Sequence, residues 1–198
     1  MRAVLATRNA HKVEEVRRIL APYDVQLVSL GEFPDVGEVA ETAATFADNA
    51  LLKAEAVARA TGLLALADDS GLAVAALNGM PGVLSARWTG KHGDDVANLR
   101  LVLDQIADVP DERRGAAFVC AAAAVTPAGE RLVVEGRVEG VLIRAPRGSN
   151  GFGYDPIFVP VGEERTTAEM SSEEKDAISH RGKAFRLLAP RLVQLGSR

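Results

Sequence analysis

The sequence predicts a mixed α/β protein in which helices cover the faces of one mixed β-sheet. Two observations lead to this prediction. Over the first 70 residues, short apolar runs alternate with segments whose apolar residues recur every three to four positions. Further on, two long apolar runs joined by a short turn segment are typical of a β-hairpin. Alternating strands and helices favour parallel pairing, and a hairpin requires antiparallel pairing, so the sheet is expected to be mixed.

The first half of the chain is predicted to hold three strands and two helices. The strands are short apolar runs at residues 2–7, 25–30 and 63–67. The helices each carry one apolar face, at residues 11–21 and 46–61. The second helix has a recognisable start, because Thr45 can cap it and Asp48 follows three residues later, as in a capping box with Asp in place of Glu.

The second half is predicted to hold three further strands and two further helices. The strands are at residues 115–125, 131–142 and 157–159. The helices are at residues 94–107 and 182–195. Residues 126–130 connect the two long strands as a hairpin turn. If residues 150–156 form only a tight turn, Pro156 takes the first position of the last strand, where its missing N–H is tolerated. Cys120 is expected in a buried strand position.

The length and composition indicate one globular domain, which we place at residues 1–198. A hydrophobic content of 47% with 25% charged residues is typical of a folded chain rather than a disordered one. The longest apolar run, residues 116–125, is too short to span a bilayer, and the N-terminus lacks the layout of a signal peptide. We therefore expect no membrane partner and a cytoplasmic location.

The charge and the metal-binding residue types narrow the class of partner. A net charge of −4 argues against nucleic acid as a partner, since its backbone usually needs a basic face. Free nucleotides are still compatible, because a local cleft can be positive on an acidic protein. A single cysteine cannot form an internal disulfide, and the three histidines show no metal-ligand spacing. Any metal is therefore expected to have oxygen ligands.

The most informative segment is Ala-Asp-Asp-Ser-Gly at residues 67–71, which directly follows the apolar run 62–66. A strand that ends in two carboxylates before a turn suits Mg²⁺, because this ion prefers oxygen ligands and keeps positions for water and phosphate. The same residues are also an ordinary turn composition, so the segment alone leaves both interpretations open.

Residues 7–12, Thr-Arg-Asn-Ala-His-Lys, follow the first predicted strand and open the first predicted helix. Backbone N–H groups at a helix start, with a lysine beside them, can form a site for an anionic phosphate. The alternative is a plain strand and helix unit in which Asn9 acts only as the helix cap.

Two later segments contain residues suited to a base. In residues 150–156, Asn-Gly-Phe-Gly-Tyr-Asp-Pro, the glycines allow close approach of a flat ligand, and Phe152 can stack on a nucleobase for about 1–3 kcal/mol. The alternative is a tight turn into the last strand. Ser179, His180 and Arg181 precede the last helix; the arginine offers donors only, and the alternative is a helix cap.

Together these segments resemble the noncanonical purine nucleoside triphosphate pyrophosphatases, the inosine/xanthosine triphosphatases that cleanse nucleotide pools. The resemblance spans nearly the whole chain. Its motifs are Thr7-x-Asn9-x-x-Lys12, Thr45-Phe46-x-x-Asn49-Ala50-x-x-Lys53-Ala54, Ala67-Asp68-Asp69-Ser70-Gly71-Leu72, Pro81-Gly82-x-x-Ser85-Ala86-Arg87, Phe152-Gly153-Tyr154-Asp155-Pro156 and Glu174-Lys175-x-x-x-Ser179-His180-Arg181. It implies an elongated sheet in two lobes, an active-site cleft between them, and a homodimer.

The resemblance also implies the reaction, hydrolysis of ITP, dITP and XTP to the monophosphate and pyrophosphate with Mg²⁺ as cofactor. It implies Asp69 and Lys53 as catalytic residues, Asp69 and Glu41 as metal ligands, and Asp69 or Asp68 as the proton acceptor. Ala43 stands where the family usually has glycine, which affects the geometry of this loop, so Glu38 is kept as the alternative to Glu41.

The substrate-binding residues that the resemblance implies are Thr7, Arg8, Asn9, Ala10, His11, Lys12, Ser70, Phe152, Gly153, Tyr154, Asp155, Lys175, His180 and Arg181. Lys12, Lys53 and Lys175 are expected to hold phosphates, and Phe152 to stack on the purine. The groups expected to read the edge of the base are Asp155, His180 and Arg181. Two other functions stay open: a Maf-like pyrophosphatase acting on other modified nucleotides, and a regulator that binds nucleotides without turnover.

Overall fold

The computed structural model describes residues 1–195, apart from the side chains of residues 193 and 194, so residues 196–198 of the predicted domain lie outside the described residues. Within that range the strands are β1 Arg2–Leu5, β2 Gln26–Ser29, β3 Leu64–Val74, β4 Gly115–Val125, β5 Arg131–Leu142 and β6 Phe158–Pro160. The α-helices there are α1 Ala10–Leu20, α2 Phe46–Thr61, α3 Asp95–Gln105, α4 Ser172–Ile178 and α5 His180–Leu195.

The strands of the described chain form one mixed sheet in the order β2-β1-β3-β4-β5-β6. Strand β1 is parallel to β2, with Val4 opposite Val28, and parallel to β3, with Val4 opposite Ala65. Strand β5 is antiparallel to β6, with Val141 opposite Val159. The predicted fold class, a mixed sheet with flanking helices, is therefore confirmed.

Strand β3 differs from the prediction, because it runs through the two aspartates to Val74 instead of ending at them in a turn. It continues because Leu72 and Val74 are fully buried in an apolar cluster. Gly71 is needed for packing, since a Cβ at this position would overlap the carbonyl oxygen of Gly82 and the side chain of Ser85. The prediction of a turn at residues 67–71 is wrong.

The C-terminal part of the chain also differs from the prediction. Helix α4 was not predicted, although it carries a complete capping box in which Ser171 and Glu174 bind each other's backbone N–H groups. Helix α5 begins at His180, so His180 and Arg181 lie in its first turn rather than before it. Among the described residues, no helix combines the length and apolar character needed to cross a bilayer.

The chain divides into two compact units. The first unit comprises Met1–Asp69, Cys120–Gly136 and the chain from His180 onward, and the second comprises Ser70–Val119 and Arg137–Ser179. In the first unit, alternate strand residues enter two apolar clusters. Leu66 and Cys120 pack with α1 and α5, whereas Ala65 and Ala121 pack with α2. Because alternate side chains of a strand point to opposite faces, α1 and α5 cover one face and α2 covers the other.

The second unit has its own apolar cluster, which includes Phe118 and Phe158 with their ring centroids 4.5 Å apart. Beside this cluster the guanidinium of Arg114, a residue only 2% exposed, donates to three backbone carbonyls. The acceptors belong to Ile106, Leu142 and Ile143, at distances of 2.7, 2.9 and 3.3 Å. One side chain thus supplies the hydrogen bonds of three backbone groups.

We expect Arg114→Met to lower the free energy of unfolding by at least about 3 kcal/mol, because each buried carbonyl that loses its donor costs about 1–3 kcal/mol. Urea unfolding measures the change. Arg113→Met is the matched control, since Arg113 is the neighbouring residue and is exposed. Equal losses for the two variants would contradict the role assigned to the three hydrogen bonds.

Candidate active site

Asp68 and Asp69 lie on opposite faces of the sheet in the first unit, because they are successive residues of β3. Both are buried, with exposures of 2% and 4%. Asp68 contacts side chains of α1 and α5, whereas Asp69 contacts side chains of α2. The two carboxylates therefore have different direct partners, although the charges of Lys12 and Lys53 act on both.

Asp68 is held by two cations. Its Oδ2 lies 3.2 Å from Nζ of Lys12 and 3.0 Å from an Nη of Arg181, and the other Nη of Arg181 contacts the carboxylate of Glu15. Burial alone would raise the pKa of Asp68, but Lys12 and Arg181 hold it well below its usual range. A carboxylate held ionised in this way is a poor proton acceptor. This electrostatic environment favours Asp69 over Asp68 as the general base.

Asp69 has the opposite electrostatic environment. Burial raises the pKa of its carboxyl group to about 6, while Lys53 and a hydrogen bond from Asn49 oppose the shift. The amide of Asn49 donates to Oδ2 of Asp69 at 3.0 Å. A carboxylate with a raised pKa accepts a proton from water more readily than an ordinary one, so the geometry fits a general base.

Lys53 links Asp69 to a second carboxylate. Its Nζ lies 2.5 Å from Oε1 of Glu41 and 3.9 Å from Oδ1 of Asp69. Burial would lower the pKa of Lys53, but Asp68, Asp69 and Glu41 raise it overall, so the ammonium stays charged. The predicted catalytic lysine and both predicted metal ligands therefore lie together in the first unit. Glu38, the alternative ligand, is exposed, and these contacts support Glu41.

The donor chemistry around Lys53 fits Mg²⁺. The carboxylates of Glu41 and Asp69 both face the ammonium of Lys53. Mg²⁺ is commonly held by one or two carboxylates, with water and substrate phosphates as its other ligands. In the part of the chain that the structure describes, no group of three or more His, Cys, Asp or Glu side chains is arranged to hold a metal. The two carboxylates therefore suit an ion that is shared with phosphate oxygens.

Residues 7–12 form the entry into α1. Asn9 is the helix cap, since its Oδ1 accepts the N–H of Lys12 at 3.2 Å, and the hydroxyl of Thr7 accepts the N–H of Asn9 at 3.2 Å. The guanidinium of Arg8 donates to the carbonyl of Val36 at 2.7 Å, in the loop that leads to Glu41. The exposed members of the segment are Arg8, Asn9, Ala10 and His11. The cap is established, and phosphate binding by this segment stays a prediction.

The segment predicted to hold the base lies in the second unit. The carboxylate of Asp155 accepts the N–H of Phe152 at 2.9 Å and the ammonium of Lys175 at 2.6 Å, both on Oδ2. Its Oδ1 accepts the hydroxyl of Thr167 at 2.8 Å. Nζ of Lys175 also lies 4.9 Å from the ring centroid of Phe152, within the range of a cation–π interaction. Asp155 therefore holds the backbone of Phe152, and Lys175 lies over its ring.

The rest of this loop is held by further contacts of the second unit. Gly151 has a φ of +73°, and a Cβ there would overlap the carboxylate of Asp155, so only glycine fits. The N–H of Gly153 donates to Asp95 at 2.9 Å, and the hydroxyl of Tyr154 donates to the carbonyl of Ser85 at 2.7 Å.

The structure divides the predicted site residues between the units. In the first unit, Lys12, Asp68 and Arg181 form one cluster, and Lys53, Asp69 and Glu41 form another. His180 is buried next to Arg181 in the chain. The predicted residues in the second unit are Ser70, Phe152, Gly153, Tyr154, Asp155 and Lys175.

Several residues that hold these side chains were not singled out from the sequence. Glu15 could have been found, because it is a charged residue on the otherwise apolar face of α1, where charge requires a partner. Asn49 was noticed as a motif residue that shares a helix face with Lys53, but its contact with Asp69 was not predicted. Asp95 and Thr167 gave no usable signal, since each meets its partner across a long stretch of chain.

The fold and these contacts define a class, a mixed α/β protein whose buried acids and lysines suit hydrolysis of a phosphoanhydride. The chain belongs to the Ham1 family, whose model matches residues 3–191. It is 60% identical to the dITP/XTP pyrophosphatase of Streptomyces coelicolor, with 98% of each chain covered. It is 59% identical to the dITP/XTP pyrophosphatase of Mycobacteroides abscessus, with 98% of this chain and 96% of that relative covered.

Solved structures show the same relationship. The crystal structure of the nucleoside-triphosphatase, or dITP/XTP pyrophosphatase, of Mycobacterium abscessus matches with a TM-score of 0.78 at 60% identity, covering 96% of this chain and 100% of that one. The HAM1 protein of Coxiella burnetii matches with a TM-score of 0.88 at 42% identity, covering 98% and 99%. The resemblance predicted from the motifs is confirmed.

Proposed function

We propose that this chain hydrolyses purine nucleoside triphosphates with a deaminated base, namely ITP, dITP and XTP, to the monophosphate and pyrophosphate. The observation that carries the proposal is the placement of Lys53 between Asp69 and Glu41. The names of the relatives support it, since the chain is 60% identical to a dITP/XTP pyrophosphatase over almost its full length. The substrates enter and leave a nucleotide pool, so we place the protein in the cytoplasm.

We propose Mg²⁺ as the cofactor, held by Asp69 and Glu41. When bound, it supplies positive charge that neutralises the triphosphate and favours attack by water. Lys53 holds a phosphate oxygen beside the two carboxylates, and Lys12 holds another from the start of α1. Asp69 accepts the proton of the attacking water.

At the base, Phe152 provides the stacking surface. Asp155 holds the backbone of Phe152, and Lys175 contacts both Asp155 and the ring. These contacts support a place for Lys175 at the base end of the substrate rather than at the phosphates. Base recognition by Asp155, His180 and Arg181 stays a prediction. The carboxylate of Asp155 already accepts three protein donors, which supports a role in fixing the loop.

The proposal is tested with a panel of nucleoside triphosphates in the presence of Mg²⁺, scored separately for pyrophosphate and orthophosphate. We expect pyrophosphate from ITP, dITP and XTP, little turnover of ATP and GTP, and loss of the reaction on chelation with EDTA. Release of orthophosphate, or equal turnover of ATP and GTP, would contradict it.

The same panel separates the alternatives. A Maf-like enzyme would prefer other modified nucleotides, and a regulator would bind the nucleotides without releasing pyrophosphate. The family match argues against the first, and retention of Asp69 with Lys53 and Lys12 argues against the second. The homodimer implied by the resemblance is part of the proposal, and sedimentation equilibrium tests it.

We expect Lys12→Ala and Lys175→Ala to have different effects on substrate preference. Lys12→Ala removes a charge from phosphates common to every triphosphate, so kcat/KM should fall about 10²-fold for ITP and ATP alike. Lys175→Ala loosens the Phe152 loop, so the ratio of kcat/KM for ITP over that for ATP should fall. Steady-state kinetics on both nucleotides measures this. An unchanged ratio for Lys175→Ala would indicate that Lys175 binds the phosphates instead of holding the loop of Phe152.

A further inference from the structure

Asn49 joins two parts of the first unit that both carry proposed metal ligands. It is fully buried at the fourth residue of α2. Its Oδ1 accepts the N–H of Ala43 at 2.9 Å, and its Nδ2 lies 3.0 Å from Oδ2 of Asp69 and 3.4 Å from the carbonyl oxygen of Ala43. Since Ala43 is two residues after Glu41, one carboxamide holds Asp69 and the backbone next to Glu41.

The orientation of this carboxamide is determined by its partners. The N–H of Ala43 can only donate, and the carboxylate of Asp69 with the carbonyl of Ala43 can only accept, so the oxygen must face the first and the nitrogen the other two. A flipped amide would place its oxygen against two other oxygens. Asn49 is therefore set in one orientation, and the loop that carries Glu41 cannot move away from Asp69 without breaking these bonds.

A second buried asparagine, Asn98, makes similar hydrogen bonds to a loop but, among the described residues, does not contact a carboxylate of the site. Asn98 is also the fourth residue of its helix, α3, and is 1% exposed. Its Oδ1 accepts the N–H of Thr89 at 2.8 Å, and its Nδ2 donates to the carbonyl of Ala86 at 3.2 Å. Both asparagines hold the loop before their helix, and Asn49 also donates to Asp69, a carboxylate of the candidate site. Holding a loop does not require the contact between Asn49 and the carboxylate of Asp69, so we assign this contact a role in the candidate site.

We propose that Asn49 is a positioning residue that sets Asp69 and Glu41 at the separation needed to bind Mg²⁺. The inference rests on the proposed function, because it assumes that these two carboxylates hold the ion. Partners that orient metal ligands typically change metal affinity or activity by 10–100-fold when they are removed. The role is distinct from catalysis, since Asn49 acts through Asp69 and the loop of Glu41.

The test compares Asn49→Ala with Asn98→Ala, which removes the same side chain from the same helix position. Turnover of ITP is measured against Mg²⁺ concentration, Mn²⁺ binding to each nucleotide-free protein is measured by EPR, and stability is measured by urea unfolding. We expect both variants to lose stability. Only Asn49→Ala should need at least about tenfold more Mg²⁺ for half-maximal rate and bind Mn²⁺ more weakly, with kcat largely recovered at saturating Mg²⁺.

The outcomes separate this inference from the proposed function. Equal Mg²⁺ and Mn²⁺ affinities in wild type and Asn49→Ala, with a stability loss matching that of Asn98→Ala, would overturn the inference and leave the function intact. A wild-type protein that releases no pyrophosphate, or does so without Mg²⁺, would overturn the function itself.

A measurement on the wild type covers the case in which Asn49→Ala does not fold. Hydrogen exchange of the Ala43 amide is followed by NMR with and without Mg²⁺ and pyrophosphate. We expect the ligands to slow exchange at Ala43, because binding at Asp69 and Glu41 tightens the loop through Asn49. Unchanged exchange at Ala43, with Mg²⁺ shown to bind, would contradict the positioning role.

Discussion

Asp69→Asn is expected to keep the fold and to lose turnover by a factor of about 10²–10⁴, the usual loss when one general acid–base or electrostatic function is removed. The amide preserves the shape of the side chain and can still accept the hydrogen bond from Asn49. It cannot take a proton from water, and it is a weaker ligand for Mg²⁺. Pyrophosphate release from ITP at saturating Mg²⁺ measures the loss. If Asp69→Asn kept more than about half of the wild-type rate, another residue would have to act as the general base and metal ligand.

The same variant should be more stable than the wild type at neutral pH when EDTA is present. Burial raises the pKa of Asp69 from 3.8 to about 6, so the folded state binds this proton more tightly than the unfolded state does. The resulting stability is fully present below pH 3.8 and is lost as the pH rises through about 6. The difference corresponds to on the order of 3 kcal/mol of folding stability. The neutral asparagine would not lose this stability as the pH rises. Part of the gain is offset, because Lys53 no longer has a charged partner at position 69.

Urea unfolding of the two proteins at several pH values measures this effect. The advantage of Asp69→Asn should be largest above pH 7 and should shrink toward pH 4. A variant that is less stable than the wild type throughout would show that the interaction with Lys53 outweighs the burial of the charge. Together the two measurements test whether Asp69 is kept for chemistry at the expense of stability.

Arg181→Ala is expected to lower the free energy of unfolding by about 3–5 kcal/mol, the usual result of removing one partner from a buried ion pair. Arg181 is 1% exposed, and its guanidinium lies between Asp68 and Glu15, which would be left buried with less compensation. The destabilisation should be largest at neutral pH. Arg181 helps to hold the pKa of Asp68 below its usual range, so the stability it provides is lost as the pH falls through that lowered pKa.

Arg191→Ala is the matched control, because Arg191 is an exposed arginine of the same helix. The kinetic measurement is the ratio of kcat/KM for ITP over that for ATP, taken on folded protein. A lower ratio with little loss of stability would support the prediction that Arg181 reads the edge of the base. A large loss of stability with an unchanged ratio would assign Arg181 to holding Asp68 in place.

The elements with strong local signals could be predicted well. The predicted bounds of α2, β4 and β5 agree with the structure. Helix α2 has its cap at Thr45, and the two long strands have continuous apolar runs with a turn between them. Strand β3 could not be predicted in full, because its continuation depends on the burial of Leu72 and on space that only Gly71 leaves free.

The residue types of the candidate site could be read from the sequence because its chemistry needs rare combinations. Adjacent aspartates after an apolar run, a lysine at the start of the first helix and an aromatic between glycines are visible without any structure. The motifs also sufficed to recognise the family, since short motifs in the same order over the whole chain do not depend on how the chain folds.

What each acid does was decided only by the tertiary structure. Asp68 and Asp69 are neighbours in the chain with the same side chain, and their pKa values shift in opposite directions because a strand points them to different faces. Their partners come from distant segments: Arg181 lies 113 residues from Asp68, and Asn49 lies 20 residues from Asp69. Burial and charge act through space, so no local pattern in the sequence could distinguish the ion-paired carboxylate of Asp68 from the carboxyl group of Asp69, whose pKa is raised.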